Sequence, residues 1–361
     1  FGFVKLKDVC NINMGQSPDS DSYNDNEDGI PFFQGNADFG EKYPTTRKWC
    51  NAPTKIAHAE DILISVRAPI GALNYAKEEC CIGRGLAAIT PNQDKVSSGF
   101  IYWLLKGKHK ELNLQGTGST FKAISRKVLE EIKVPDIELK KQTELAGSLE
   151  KVYSVIQLRK QQLEELDILI KARFVEMFGT LQNPALEFKR DALKNLCFKI
   201  TDGKHGGCKA EEGTERYFVG AREIYDDEIH YDTAPEINVD EFEKDYKRCN
   251  VEIGDFLIVN TGATIGKSAI AMDERTTHTL LQKSVALLKI DPEVLNPVFL
   301  KWCYRVNTSM YMVESASAQP NLLLSKINVT EIYVPDLELQ NQFADFVIQV
   351  DKLKFVETIA K

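Results

Sequence analysis

The chain has 361 residues, enough for two or three domains, and its 43% hydrophobic and 27% charged residues are typical of a globular protein. The net charge of −8 argues against a protein that coats DNA through overall charge alone. Apolar runs fall short of the roughly 20 residues that a membrane span needs, and the first residues lack the pattern of a secretory signal, so we expect no membrane contact.

The predicted elements begin with short apolar runs bounded by Gly, Pro and Asn, of which residues 62–66 are an example, and these runs predict strands. A helix is predicted at 99–110. The same order returns later in the chain, with a strand at 284–290 and a helix at 297–306. Each half therefore begins as a mixed α/β domain.

A long helix follows the first domain, because residues 138–178 contain no proline and carry a heptad pattern. Its main seam positions recur every seven residues, at Leu149, Ile156, Leu163, Ile170 and Met177. About 40 helical residues span about 60 Å, which one small domain cannot cover. The helix therefore needs a partner helix, either in a second copy of the chain or later in the same chain.

An internal repeat decides between these partners. The sequence VPDIEL at 134–139 recurs as VPDLEL at 334–339, and residues 124–126 match 324–326 at the same offset. Gln142 begins a second motif that returns at Gln340 after a two-residue gap. The chain is therefore two copies of one unit, and internal pairing of the two helices is favoured. A pseudo-two-fold relation between the copies predicts that the helices run antiparallel.

The predicted fold is thus mixed α+β, with two similar domains joined by long antiparallel coiled-coil helices. We place the first domain at 1–136, the first helix at 137–179, the second domain at 180–336 and a shorter second helix at 337–361.

Motifs of catalytic chemistry are weak. Residues 262–268 resemble a phosphate-binding loop but have three residues between the glycines where four are needed. The acids of 134–139 mimic a nuclease signature, yet helix capping explains them better, and Gln340 takes the place of the lysine in the second copy. The eight cysteines and five histidines show no metal-ligand spacing. We therefore expect no metal site, reduced thiols and a cytoplasmic location.

The repeated helix-entry motifs, VPDxEL followed by a Gln-x-x-apolar-Ala helix start, resemble those of the specificity subunits of type I restriction–modification systems. The ending of the first helix at 177–179, Met-Phe-Gly, is also similar to that family. The resemblance covers nearly the whole chain. It implies a subunit without a catalytic centre, in which each domain recognises one half of a bipartite double-stranded DNA sequence and the helices set the spacer between the halves.

The resemblance also implies partners. Two modification (methyltransferase) subunits would dock on the helices, and ATP-dependent restriction subunits would join them. S-adenosylmethionine, ATP and Mg²⁺ would then be held by the partner subunits, and this chain would bind no cofactor. Two other functions stay open, namely a recognition module from a fused restriction-methyltransferase and a coiled-coil adaptor that binds no DNA.

Side chains that recognise bases carry forked donors or acceptors, and phosphates are bound by Lys, Ser, Thr and backbone N–H groups. Glycine-rich segments with such residues predict the DNA-binding positions. In the first copy these are Arg67, Arg84, Ser119, Thr120, Lys122 and Arg126. In the second copy they are Lys204, His205, Asn260, Thr264, Lys267, Gln319, Asn321 and Lys326. The repeat predicts that Arg126 and Lys326 are equivalent.

Overall fold

The computed structural model describes residues 2–117, 122–312 and 321–359. The chain divides into two compact units, Phe1–Leu158 and Arg159–Lys361. This division into compact units does not test the boundaries predicted for the two domains and the two helices, so those boundaries stay predictions. No helix in the described part of the chain is long and apolar enough to cross a membrane.

The first unit is built around a four-stranded antiparallel sheet. Its strands are β1 (Gly2–Lys5), β2 (Cys10–Met14), β3 (Tyr23–Asn24), β4 (Ile30–Phe33), β5 (Trp49–Cys50), β6 (Ile56–Ala57), β7 (Ile62–Ser65), β8 (Leu73–Tyr75), β9 (Cys80–Ile82), β10 (Leu86–Pro91) and β11 (Lys133–Asp136). Its helices are α1 (Leu6–Val9), α2 (Ser98–Gly107), α3 (His109–Gln115), α4 (Arg126–Glu130) and the first half of α5 (Leu139–Phe178).

The central sheet has the order β2-β10-β7-β8, and a five-stranded sheet of order β3-β5-β4-β9-β6 and the pair β1-β11 complete the unit. Side chains of β7 alternate between two cores. Ile62 and Ile64 face the α2 side of the sheet, and Leu63 faces the opposite cluster. All three are fully buried, as expected for a strand covered on both faces.

The second unit repeats this plan. Its strands are β12 (Arg190–Ala192), β13 (Cys197–Asp202), β14 (Tyr217–Val219), β15 (Ile224–Tyr225), β16 (Glu228–Ile229), β17 (Phe256–Val259), β18 (Ser268–Ile270), β19 (Thr279–Leu281), β20 (Val285–Ile290) and β21 (Glu331–Tyr333). Its helices are α6 (Leu193–Leu196), α7 (Val239–Tyr246), α8 (Pro297–Val306), α9 (Leu324–Val329) and α10 (Leu337–Ile359), together with the second half of α5.

The central sheet of the second unit has the order β13-β20-β17-β18, which matches the first unit strand for strand, and β12 pairs with β21 as β1 pairs with β11. The prediction of two similar mixed α/β domains is therefore confirmed. Helix α7 is an addition, because the described residues of the first unit contain no α-helix at the corresponding place, between β2 and β7.

Helix α5 is 40 residues long, and its second half packs on α10. The ring of Phe174 lies 5.2 Å from that of Phe343, and Asp167 bonds Lys354 at 2.7 Å. The earlier residue of α5, Asp167, contacts the later residue of α10, Lys354. Within the second unit the two helices are therefore antiparallel, as predicted. The pseudo-two-fold relation between the units stays a prediction.

The buried ridge of α5 differs from the predicted seam. In the second unit Ile170, Phe174 and Phe178 are fully buried at a spacing of four residues, whereas the predicted heptad continues from Ile170 to Met177. In the first unit the predicted seam residues Leu149 and Ile156 are 46% and 38% exposed. The four-residue ridge arises because a straight helix has 3.6 residues per turn and drifts away from a strict heptad.

The structure confirms the predicted equivalence of Gln142 and Gln340 at the helix entrance. Gln142 accepts a bond from the N–H of Ser97, at 2.9 Å, and Gln340 accepts one from the N–H of Asn296, at 2.8 Å. Each glutamine also donates to the carbonyl five residues before it. The two glutamines are structurally equivalent, so the offset here is 198 residues.

The same offset holds through the preceding strand. Leu6 donates its N–H to the carbonyl of Ile132, and Leu193 donates to that of Thr330. The VPD motifs, which repeat at an offset of 200, are therefore shifted by two residues relative to the structure. Likewise α4 begins at Arg126 and α9 at Leu324, so the predicted equivalence of Arg126 and Lys326 is wrong.

Candidate nucleic-acid interface

Four chain segments meet at one end of the central sheet in the first unit, where β2 and β7 end and β10 begins. We call these segments the first loop cluster. They are residues 15–17, 66–67, 83–85 and 122–123. Backbone hydrogen bonds hold them together. Gly15 donates to the carbonyl of Leu86 at 2.9 Å, Val66 donates to Gly85 at 2.9 Å, and Ile124 donates to Val66 at 2.9 Å. The cluster is thus part of the sheet framework.

The second unit contains the same arrangement, the second loop cluster, formed by residues 203–205, 260–261, 282–284 and 321–322. Gly203 donates to Val285 at 3.1 Å, Asn260 donates to Ser284 at 3.0 Å, and Leu322 donates to the carbonyl of Asn260 at 2.7 Å. Each bond has its counterpart in the first cluster. The two units therefore build the same backbone surface from different sequences.

Glycine is required at the first segment of both clusters. A Cβ atom on Gly15 would lie 2.2 Å from the carbonyl oxygen of Gly83, and one on Gly203 would lie 2.2 Å from that of Leu281. Any side chain here would push the first segment away from the β9–β10 or β19–β20 turn. The shared glycine is the sequence signal of this close approach.

The sequence predicted three of the four segments in each cluster, but the three in one unit are not the equivalents of the three in the other. It missed residues 15–17 in the first unit and 282–284 in the second. Each missed segment is the structural equivalent of one that was found in the other unit, 203–205 and 83–85 respectively. Aligning the repeat across the whole chain would have found both.

The first loop cluster presents positive charge to solvent. Arg67, Arg84 and Lys122 are exposed. None of the three side chains has an ion-pair partner among residues 2–117, 122–312 and 321–359. Exposed cations without an ion-pair partner suit a ligand that carries negative charge.

In the second loop cluster the charge of Lys204 is neutralised. Its ammonium group donates a short hydrogen bond to Asp245 and lies 3.9 Å from Glu241, both on α7. The hydrogen bond to Asp245 raises the pKa of Lys204 above its ordinary value. Lys283 is exposed and has no such partner in the described part of the chain.

The second cluster lines a cleft of about 410 Å³. Its lining residues are Lys204, Gly206, Thr261, Gln282, Lys283, Ser284 and Asn321. Of the predicted site residues in this unit, the structure brings Lys204 and Asn321 together here. Asn260 is 4% exposed and contributes its backbone to the cluster, whereas His205 is exposed and lies 3.6 Å from Asp202.

Other predicted residues lie elsewhere. Lys267 lines a second cleft beside α8, where Arg305 pairs with Asp227 at 2.6 Å. Thr264 is in the turn that precedes Lys267. Arg126 bonds Glu130 at 2.8 Å, and the ammonium group of Lys326 donates to the carbonyl of Met312 at 2.6 Å. Ser119, Thr120 and Gln319 lie outside the described residues.

In the described residues no three His, Cys, Asp or Glu side chains gather as metal ligands would. All eight cysteines are unpaired thiols, and burial raises the pKa of Cys10, Cys197 and Cys303 to about 12. Protonated buried thiols are poor nucleophiles and poor metal ligands.

Comparison with known proteins identifies the family. The family described as Type I restriction modification DNA specificity domain matches residues 1–167 and 198–360, which is most of the chain. The chain belongs to this family of DNA specificity domains. The two matched segments correspond to the two copies of the internal repeat.

Individual relatives agree. A chain of Methanocaldococcus jannaschii named as the type I restriction enzyme MjaX specificity subunit is 43% identical over 156 residues, which are 43% of this chain and 37% of the relative. The EcoBI specificity subunit of Escherichia coli is 22% identical over 96% of this chain and 78% of its own length. The match to the first of these relatives thus spans little more than a third of that protein.

A solved structure shares the fold. The S subunit of a type I restriction–modification system from M. genitalium superposes with a TM-score of 0.59 over 99% of this chain and 91% of that one, at 15% identity. At this identity the likeness concerns the fold alone.

Proposed function

We propose that the chain is the DNA-recognition subunit of a type I restriction–modification enzyme and has no catalytic centre of its own. One observation carries the proposal. The same four-segment loop cluster is built twice, once in each unit, on the same hydrogen-bonded framework and with different side chains. A protein that recognises two different DNA half-sites needs the same surface twice, with different side chains to contact the bases.

The partners and location follow from the same proposal. Two modification subunits, which bind S-adenosylmethionine, would dock on the helices, and ATP- and Mg²⁺-dependent restriction subunits would complete a cytoplasmic assembly. The exposed apolar side chains on the first half of α5, such as Leu149 and Val152, are a suitable contact for a partner protein. The purified chain should neither methylate nor cut DNA by itself.

Equivalent substitutions in the two clusters should affect different half-sites. We expect Arg67→Ala to cost about 1–3 kcal/mol of discrimination in one half of the target, and Thr261→Ala, at the equivalent position, to relax the other half. The measurement is methylation of a duplex library randomised in both halves, by the full chain assembled with a type I modification subunit. Loss of preference in both halves from either substitution would contradict the assignment of one unit to one half-site.

The salt dependence of DNA binding should separate the two lysines of the second cluster. Lys283→Ala should make the slope of log K against log salt less negative by about 0.9, because the variant loses one phosphate contact and the counterion release that comes with it. Lys204→Ala should change that slope much less, since Asp245 already neutralises Lys204. Titrations of one duplex at several salt concentrations give both slopes. An equal change of slope in the two variants would show that Lys204 leaves Asp245 on α7 and contacts DNA in the complex.

A further inference from the structure

The two loop clusters carry different side chains at three equivalent positions, which we call a row. The pairing of β7 with β10 ends where Ser65 is opposite Leu86, and one further bond joins the N–H of Val66 to the carbonyl of Gly85 at 2.9 Å. Arg67 and Arg84 are each one residue beyond this bonded pair, with Arg84 in the turn that leads into β10. A β-bridge joins Arg67 on its other side to Ala123. The first row is therefore Ala123, Arg67 and Arg84.

The second cluster has the same row with other side chains. Val259 is opposite Val285, and the N–H of Asn260 donates to the carbonyl of Ser284 at 3.0 Å, so Thr261 and Lys283 are each one residue beyond this bonded pair. A β-bridge joins Thr261 to Asn321. The row of Asn321, Thr261 and Lys283 thus replaces two guanidinium groups with a hydroxyl and an ammonium group, and it replaces a methyl group with an amide.

From this difference we propose that the first loop cluster selects guanine through Arg67 and Arg84 and that the second selects adenine through Asn321. The inference rests on the proposed function and names the bases that each unit reads. A guanidinium group donates two parallel hydrogen bonds, and guanine offers two acceptors, O6 and N7, in the major groove. An ammonium group such as that of Lys283 is a point charge without this fork, so it suits a phosphate.

The surroundings of each reader fit this assignment. Both arginines are exposed and held by neither Asp nor Glu among the described residues, so their forks are available. Asn321 is exposed, and the one bond that its amide oxygen receives from the described residues is a long one, of 3.4 Å from the hydroxyl of Thr261. A side-chain amide can both accept from adenine N6 and donate to adenine N7, and Asn321 keeps both capacities.

The test uses the full chain assembled with a type I modification subunit and a duplex library randomised in both half-sites. Arg84→Lys keeps the charge and removes the fork, so it should lower guanine selection in one half-site by about 5- to 150-fold. Asn321→Asp leaves only acceptors and should move the preference in the other half-site from adenine toward cytosine. The control is Arg47→Lys, at an exposed arginine outside both clusters, which should alter neither half-site.

The outcomes separate the two proposals. Unsubstituted protein that shows no base preference in either half-site overturns the proposed function, and the further inference falls with it. Preference in both halves, with no guanine in the half-site that Arg67→Ala weakens, overturns the inference alone. Guanine selection that survives Arg84→Lys and Arg67→Lys together would assign both arginines to phosphates and would also overturn it.

Discussion

Replacing Phe174 with alanine is expected to lower the free energy of unfolding of the second unit by about 3–5 kcal/mol. Phe174 is fully buried and lies where α5, α8 and α10 meet. Its ring is 5.2 Å from that of Phe343 and 5.7 Å from that of Phe299. Truncation would remove most of these contacts and leave a cavity that three helices cannot all move to fill. Urea denaturation of the full chain, followed by circular dichroism, measures the loss.

The matched control is the next residue on the same helix. Val175 is 39% exposed, so Val175→Ala should cost less than about 1 kcal/mol, mostly through lost partial burial. A similar loss in both variants would mean that α5 contributes through helix propensity and that its packing on α10 adds little. A loss confined to Phe174→Ala supports packing of the four-residue ridge as the source of stability.

Gln340→Leu is expected to be the second most damaging single substitution proposed for this chain, at about 2–4 kcal/mol. Gln340 is fully buried and joins three backbone groups. Its oxygen accepts from the N–H of Asn296, and its nitrogen donates to the carbonyls of Val294 and Pro335. Leucine fills a similar volume but leaves all three groups buried without partners. Chemical denaturation of the full-length variant measures the effect.

Two companion variants make this prediction specific. Gln342→Leu, two residues along the same helix, changes an exposed glutamine and should have little effect. Gln340→Glu keeps the acceptor for Asn296 but removes both donors, so we expect a loss comparable to that of leucine. A stable Gln340→Glu protein would show that the two carbonyls find other donors, which would contradict the proposed role of the amide.

The general plan of this protein could be predicted from its sequence because its signals are local or repeated. The apolar periodicity of 138–178 predicts a helix, and α5 covers Leu139–Phe178. The duplication predicts two domains of one fold, and the two central sheets have the same strand order. A glutamine in each helix-entry motif marks the same contact in both copies. In each case nearby residues carry the information, so no knowledge of distant contacts is needed.

The candidate site was only partly predictable, because its parts come from distant segments. The charge of Lys204 suggested a phosphate contact, but Asp245 and Glu241, about 40 residues later, neutralise it. Arg126 and Lys326 occupy similar motifs and yet differ in structural position by two residues. A six-residue match at an offset of 200 is a strong sequence signal, but hydrogen bonds between strands decide the register.

The amino-acid sequence by itself therefore determined the repeat, the helices and the type of residue at the loops, all of which depend on local pattern. Only the tertiary structure decided which loops meet, which cations stay unpaired and how the two copies align. Strand register places Ser65 opposite Leu86 and Val259 opposite Val285, and it is set by backbone bonds between segments far apart in the chain. Such bonds depend on the packing of the whole unit, which no short stretch of sequence encodes.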